Sequence, residues 1–269
     1  MITLLPTFRL SRPSTLEDAF AGLADDGIAY VGGTELVAAM QLGLISPPHL
    51  VDLKQVGDLT GIREEDGLLA IGATTRHADV AGSELVRAQA PILARACSLL
   101  GNARVRATGT VGGNLCFADP RSDVSTALFA LDADVRLRSA QGVRTLSIEE
   151  FILGAMDVDL DDGEILETVL VPPPTGAQHY LRHQPTEYPT AAIALVQRPE
   201  GLRVTVGAIG ERPQAFDVEG LDAVEEAVAG MLEELDVIED LNGSEDYKRH
   251  LAGVFVRRAA AALKESIDG

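Results

Sequence analysis

The 269-residue chain has no tryptophan and two cysteines, and only 4% of its residues are aromatic. Each shortage closes off a class of protein. Cys97 and Cys116, both in apolar surroundings, exclude a disulfide framework, and two cysteines fall short of the four thiolates an iron–sulfur cluster takes. Such a chain suits a reducing compartment, and we expect the cytoplasm. Long apolar runs are missing too. "AAIALV" at 191–196 is far short of a bilayer span, and the opening "MITLLPTFRLSRP" lacks the basic start, apolar stretch and cleavage site of an export signal. No membrane span is expected. Positive charge is scarce, with 22 Lys and Arg against 41 Asp and Glu. The net charge of −19 repels phosphate backbones, which excludes nucleic acid and anionic membranes as partners. Lysine occurs only at Lys54, Lys248 and Lys264, a bias that fits either a saline cytoplasm or genome composition.

What is present is material for a core. With 46% hydrophobic residues and a mean hydropathy of +0.12, the chain is long enough for two or three compact units. Ser14 and Glu17 have capping-box spacing ahead of a helix over 16–24, and "IAYV" at 28–31 reads as a strand. A helix over 34–42 and a strand "HLVDL" at 49–53 complete a β-α-β unit, taken as 1–55. The second unit, 56–174, reads as α+β: strand "LLAIGA" (68–73), a helix over 84–100, a hairpin "DVRLRS"/"VRTL" across "AQG", a capping box at Ser147 and Glu150, and strand "EILETVLV" (164–171) closed by Pro172 to Pro174. The third unit, 175–269, has strands "AAIALVQ" and "LRVTVGAI" joined by the turn "RPEG", then amphipathic helices near 220–234 and 244–266, with Leu251, Val254, Phe255 and Ala259 on one face.

Two glycine stretches carry the chemistry. "YVGGTEL" at 30–36 sets Gly32 and Gly33 between a strand and a helix start, where backbone N–H groups can approach an anion; such a turn also serves as plain structure. It has neither GxGxxG nor GK[ST] spacing. "RATGTVGGNLCFADPRSD" at 106–123 offers Thr108, Thr110, Gly112, Gly113 and Asn114 as donors for a second face of a pyrophosphate. Asp123 then supplies an acceptor for a ribose or ribityl hydroxyl, or an N-cap for the helix "VSTALFAL", or both.

The ordered set "YVGGTELVAAMQLGLISPPHLVDLKQV", "IGATTRHADV", "RATGTVGGNLCFADPRSDVSTALFALDADVRLRSAQGVRTLSIEEFI" and "GSEDYKRHLAGVFVRRAAAAL" resembles the FAD-binding (medium) subunits of the molybdenum hydroxylases, the family of carbon monoxide and xanthine dehydrogenases. The resemblance covers nearly the whole chain. It implies an α+β, FAD-binding fold of the vanillyl-alcohol-oxidase (PCMH) type: two α/β subdomains with FAD between them, plus a C-terminal domain of a small antiparallel sheet with helices. It places Ala29, Tyr30, Val31, Gly32, Gly33, Thr34, Glu35 and Leu36, with Thr110, Val111, Gly112, Gly113 and Asn114, around the pyrophosphate, and Asp123 on a sugar hydroxyl. Gly101 falls where the family backbone passes the cofactor. Ile165 and Leu166 match a strand whose backbone nears the flavin or adenine. Tyr188 matches a position whose ring packs on the isoalloxazine. The family has Lys and Arg ahead of an Asp-Tyr pair, where this chain has Arg182, His183 and Glu187. No metal ligand is implied in this chain. The implied partners are a small iron–sulfur subunit and a large molybdenum-cofactor subunit, in a dimer of heterotrimers, with NAD or quinone as electron acceptor.

Other readings compete. His179 and His183, four apart, would share a helix face as metal ligands, but Pro185 and strand-like neighbours oppose a helix. Cys116 reads as a redox thiol or as an inert buried one. An electron-transfer subunit, a self-sufficient flavin oxidase and a flavin-free scaffold are the functional alternatives. The third unit is small for an elaborate substrate pocket, and a scaffold has no use for two stretches stripped of side chains.

Overall fold

The computed structural model describes residues 5–268; the first four residues of the N-terminal stretch read above lie outside the described range. The first unit holds β1 (Arg9–Ser11), α1 (Leu16–Leu23), β2 (Gly27–Tyr30), α2 (Leu36–Gln41) and β3 (His49–Asp52). Its strands form a parallel sheet in the order β1-β3-β2, so the expected β-α-β unit is present with an additional edge strand. The cap of α1 is Thr15, whose hydroxyl accepts from Asp18 N, rather than the Ser14/Glu17 box. Thr15 has the extended backbone that a cap needs, so the cap sits one residue later than expected, while the helix begins at Leu16 as the sequence implies. Helix α2 is also shorter than 34–42, because residues 32–35 form a turn.

The second unit contains β4 (Ile62–Glu65), β5 (Leu68–Gly72), α3 (His77–Gly82), α4 (Glu84–Gln89), α5 (Pro91–Leu99), α6 (Ala103–Thr108), α7 (Val111–Phe117), α8 (Asp123–Ala130), β6 (Asp134–Ser139), β7 (Gly142–Ser147), α9 (Ile148–Phe151), β8 (Ile152–Gly154), β9 (Asp157–Val158) and β10 (Ile165–Val171). Its main sheet is antiparallel, ordered β4-β5-β10-β6-β7. The expected hairpin is β6-β7, and the Ser147/Glu150 capping box is formed. The single helix expected over 84–100 is two helices. Pro91 lacks an N–H and restricts the residue before it, so Ala90 leaves the helical region (φ −137°, ψ 62°) and α5 begins at the proline.

The third unit is a meander, β11 (Gln178–His183), β12 (Ala191–Arg198), β13 (Gly201–Gly207) and β14 (Gln214–Val218), followed by α10 (Val224–Glu234) and α11 (Glu245–Asp268). Strand alternation explains how β12 is buried on both faces. Ala191, Ile193 and Leu195 join the core beneath α10 and α11, while Ala192, Ala194 and Val196 face the core of the second unit. Helix α8, wholly buried, packs against β12 and β13 of the third unit and against α5 of its own unit. Leu251, Phe255 and Ala259 of α11 are buried as the helical periodicity implies. Ile165, at the head of β10, joins the core of the first unit, so one strand ties the first two units together.

Candidate flavin site

The first glycine stretch lies directly on the second. A side chain at Gly32 would collide with the backbone of Thr108 and Gly109, with a Cβ 2.9 Å from Gly109 Cα. Gly33 has φ +68°, and there a Cβ would fall 2.6 Å from the Tyr30 ring. Tyr30 lies under Lys54 Nζ, 4.6 Å from its centroid, and Ala29 and Tyr30 pair with Val51 and Asp52 as the end of β2. The turn leaves five consecutive N–H groups, from Gly32 to Leu36, without an acceptor among the described residues. Unpaired donors on a curved backbone make an anion-binding concavity.

The second stretch is built differently from the expected donor loop. Thr110 caps α7, so Val111 to Asn114 are helical and their N–H groups are already engaged. Val111 donates to Thr75 O (3.0 Å), Gly112 to Ala73 O (2.9 Å), Gly113 to Thr110 Oγ1 (3.2 Å) and Asn114 to Thr110 O (3.0 Å). Gly112 is a packing glycine, since a Cβ would lie 2.5 Å from Ala73 Cβ. Gly113 is exposed, and only Thr110 Oγ1, at 3.0 Å, would meet a Cβ there. The stretch therefore offers a smooth open face rather than backbone donors. Asn114 Oδ1 accepts from Ser122 Oγ at 2.6 Å, which orients its amide.

Ala73, which the sequence reading did not single out, joins these parts. Its carbonyl accepts from Gly112, and its N–H donates to Glu167 O at 2.9 Å, where β10 shifts register beside Leu166. The side chains of Ile165 and Leu166 are buried, so only their backbone can approach a ligand.

The N-cap of α8 is Ser122, not Asp123. Asp123 is 4% exposed, and its carboxylate accepts from the Tyr180 hydroxyl and the Arg182 guanidinium. Burial raises its pKa against the pull of Arg182 and Tyr180. Arg182 also donates to Leu99 O (2.8 Å), and Arg106 donates to Leu100 O (3.0 Å) and Gly101 O (2.8 Å). Two arginines thus hold the turn at Gly101, where φ is +45°. Tyr180 was missed in the sequence, because its partner is remote along the chain.

Tyr188, between β11 and β12, is 38% exposed, and the Arg121 guanidinium carbon lies 3.7 Å from its ring centroid. Arg121 is forked onto Asp119, at 2.9 Å from Nε and 2.7 Å from Nη2. Glu35 faces the same cluster: burial, then the Asp119 carboxylate, raise its pKa, and Arg121 opposes them. All three units therefore meet at Glu35, Asp119, Arg121 and Tyr188. Elsewhere, His179 and His183 lie on a strand, and the His183 ring packs 5.3 Å from that of Phe255. Burial pushes the Cys116 thiol up to about 12 and leaves it unreactive.

The FAD-binding domain in molybdopterin dehydrogenase, as a family model, matches residues 6–174. The chain belongs to this family. It is 33% identical to the carbon monoxide dehydrogenase medium chain of Afipia carboxidovorans, over 96% of this chain and 97% of that one. The xanthine dehydrogenase FAD-binding subunit of Escherichia coli O157:H7 is 32% identical over 60% of this chain and 56% of its own length. Among solved structures, quinoline 2-oxidoreductase from Pseudomonas putida 86 superposes with TM-score 0.91 at 26% identity, covering 98% of this chain and 99% of that one. Reconstituted carbon monoxide dehydrogenase from Oligotropha carboxidovorans gives 0.90 at 28%, covering 97% and 99%. The fold is the FAD-binding PCMH type, the cofactor is FAD, and the chain is an oxidoreductase of the FAD-binding medium-subunit class in molybdenum hydroxylases. The five unpaired N–H groups fit that cofactor, since a diphosphate is the anion such a row can hold. No helix among the described residues is long and apolar enough to cross a membrane.

Proposed function

We propose that this chain is the electron-transfer subunit of a molybdenum hydroxylase complex, taking electrons from iron–sulfur clusters of a small partner subunit and passing them to NAD, quinone or another acceptor. The observation that carries the reading is the row of free N–H groups from Gly32 to Leu36 in a chain that aligns with medium chains over almost its full length. Residues Ala29 to Leu36 hold the pyrophosphate, and the open face at Gly113, with Thr110 and Asn114, bounds its other side. Asp123 serves a sugar hydroxyl alongside its anchoring of Arg182, the backbone of Gly101, Ile165 and Leu166 lines the cofactor, and Tyr188 packs on the isoalloxazine. Bound FAD supplies the redox chemistry, and the protein supplies binding, orientation and exclusion of water. The division into 1–55, 56–174 and 175–269 follows the same reading, as does cytoplasmic assembly with a large molybdenum-cofactor subunit into a dimer of heterotrimers. Cys97 is buried in the core and Cys116 packs partly buried against it, which supports assigning every iron–sulfur ligand to a partner. Flavin titration and activity assays of the purified chain test this. FAD should bind more tightly than FMN, which has a single phosphate, and the loaded chain should pass electrons to dyes without oxidising an organic substrate. Equal FMN binding overturns the pyrophosphate assignment, and robust substrate turnover by the chain alone establishes a self-sufficient oxidase instead.

A further inference from the structure

We propose that Arg121 is a positioning residue that fixes the ring plane of Tyr188 and so sets the contact of that ring with the isoalloxazine. The inference rests on the reading above that Tyr188 packs on the flavin. Tyr188 stands in an irregular segment between β11 and β12, and that segment has few ties of its own. Gln184 Nε2 donates to Glu187 O at 2.7 Å, and the Thr186 hydroxyl reaches Tyr188 O at 3.4 Å and Asn242 Oδ1 at 3.3 Å. None of these restrains the tyrosine ring. The guanidinium 3.7 Å above its centroid does.

Arg121 can do this because it is itself fixed. Its backbone N–H donates to Asp119 Oδ1 at 2.8 Å, and its Nε and Nη2 fork onto both carboxylate oxygens. A planar guanidinium held at two points keeps one plane, and a ring stacked on it inherits that plane. Asp119, only 9% exposed, anchors the set at the turn that follows α7. One face of Tyr188 is thereby occupied, and the flavin takes the other. The fork also neutralises Arg121 locally, and Glu35 and Asp240 lie near enough to act on the same group of charges. The cluster is therefore poorly suited to an anionic ligand. Its use is geometric.

Fluorescence of bound FAD provides a test independent of turnover, because an aromatic ring stacked on a flavin quenches its emission. The FAD-loaded chain is compared with Arg121→Ala, Arg121→Lys, Asp119→Asn and Tyr188→Leu, with FAD per chain measured for each. Tyr188→Leu should brighten the flavin, with emission read per bound FAD. Arg121→Ala should brighten it by about two- to fivefold, the range one cation–π contact at a part-exposed site contributes to holding a conformation. Asp119→Asn should act in the same direction, and Arg121→Lys should restore quenching only in part, since lysine keeps the charge and loses the fork. Adding Tyr188→Leu to Arg121→Ala should brighten the flavin no further than Tyr188→Leu alone. If Tyr188→Leu brightens the flavin while Arg121→Ala leaves it dark, the positioning role falls and the flavin contact of Tyr188 stands. If neither changes emission, that contact falls and the positioning role with it.

Discussion

Gly112 and Gly113 are neighbours in one helix, yet enlarging each should give opposite outcomes. A methyl at Gly112 meets Ala73, with its Cβ at 2.5 Å and its carbonyl oxygen at 2.8 Å, and that carbonyl also accepts the Gly112 N–H. Gly112→Ala should therefore lift α7 from the turn at Ala73 and cost about 1–3 kcal/mol, the usual range for overpacking. Gly113 opens outward, so Gly113→Val should change stability by no more than about 0.5–1 kcal/mol while removing FAD, because the added methyls occupy the open face. Urea denaturation and flavin content separate the two effects, and a Gly113→Val protein with normal flavin content would move the cofactor off this face. The glycine pair was legible in the sequence. Which glycine serves packing was not, because Ala73, in the turn just past β5, decides it from about forty residues away. The donor row at Gly32 to Leu36 was legible for the opposite reason, since turn and donors lie within a few residues.

At the scale of elements, strand β11 is fastened to the second unit through one face. Tyr180 and Arg182 alternate onto that face and meet Asp123 at the head of α8, and Arg182 reaches Leu99 at the end of α5. Arg182→Met leaves a buried carboxylate facing a single hydroxyl, so a loss of about 3–5 kcal/mol is expected. Combining it with Asp123→Leu should cost less than the sum of the separate changes, because no uncompensated charge remains. Denaturation of the two single variants and the double variant gives the coupling, and strict additivity would show that the pair does not act as a unit. Elements with strong periodicity, such as β12, β13, α10 and α11, could be read from the sequence because each carries its own apolar pattern. The three-residue β1 and the exposed α6 could not. One exists through pairing with β3, and the other has no buried residue to reveal it. Helix α7 was hidden for a related reason: glycine-rich and short, it is held by Thr110 and by carbonyls of residues 73 and 75.

The stability of the whole molecule should fall on mild acidification, and one imidazole accounts for a separable part. His77 is 2% exposed at the head of α3, with Nδ1 3.9 Å from Cys97 Sγ, and burial lowers its pKa from 6.5 to about 4. The unfolded chain thus binds a proton at higher pH than the folded one. Stability that is complete above pH 6.5 drains away as the pH falls towards 4, by about 2 kcal/mol at pH 5 and about 3 kcal/mol once both states are protonated. For a domain stable by about 5–15 kcal/mol, that share is large. Asp123 and Glu35, raised by burial, act with the opposite sign, since protonation relieves a buried charge. Glu164, held low chiefly by its hydrogen bond from Arg144, loses its contribution only below its ordinary value of 4.5. These contributions persist in His77→Gln, so the difference between the two proteins isolates the imidazole. Urea denaturation of both at pH 7 and pH 5 should show the parent losing about 2 kcal/mol more than the variant over that interval. Parallel losses would mean that His77 is charged within the fold, with a partner that its position beside Cys97 does not supply.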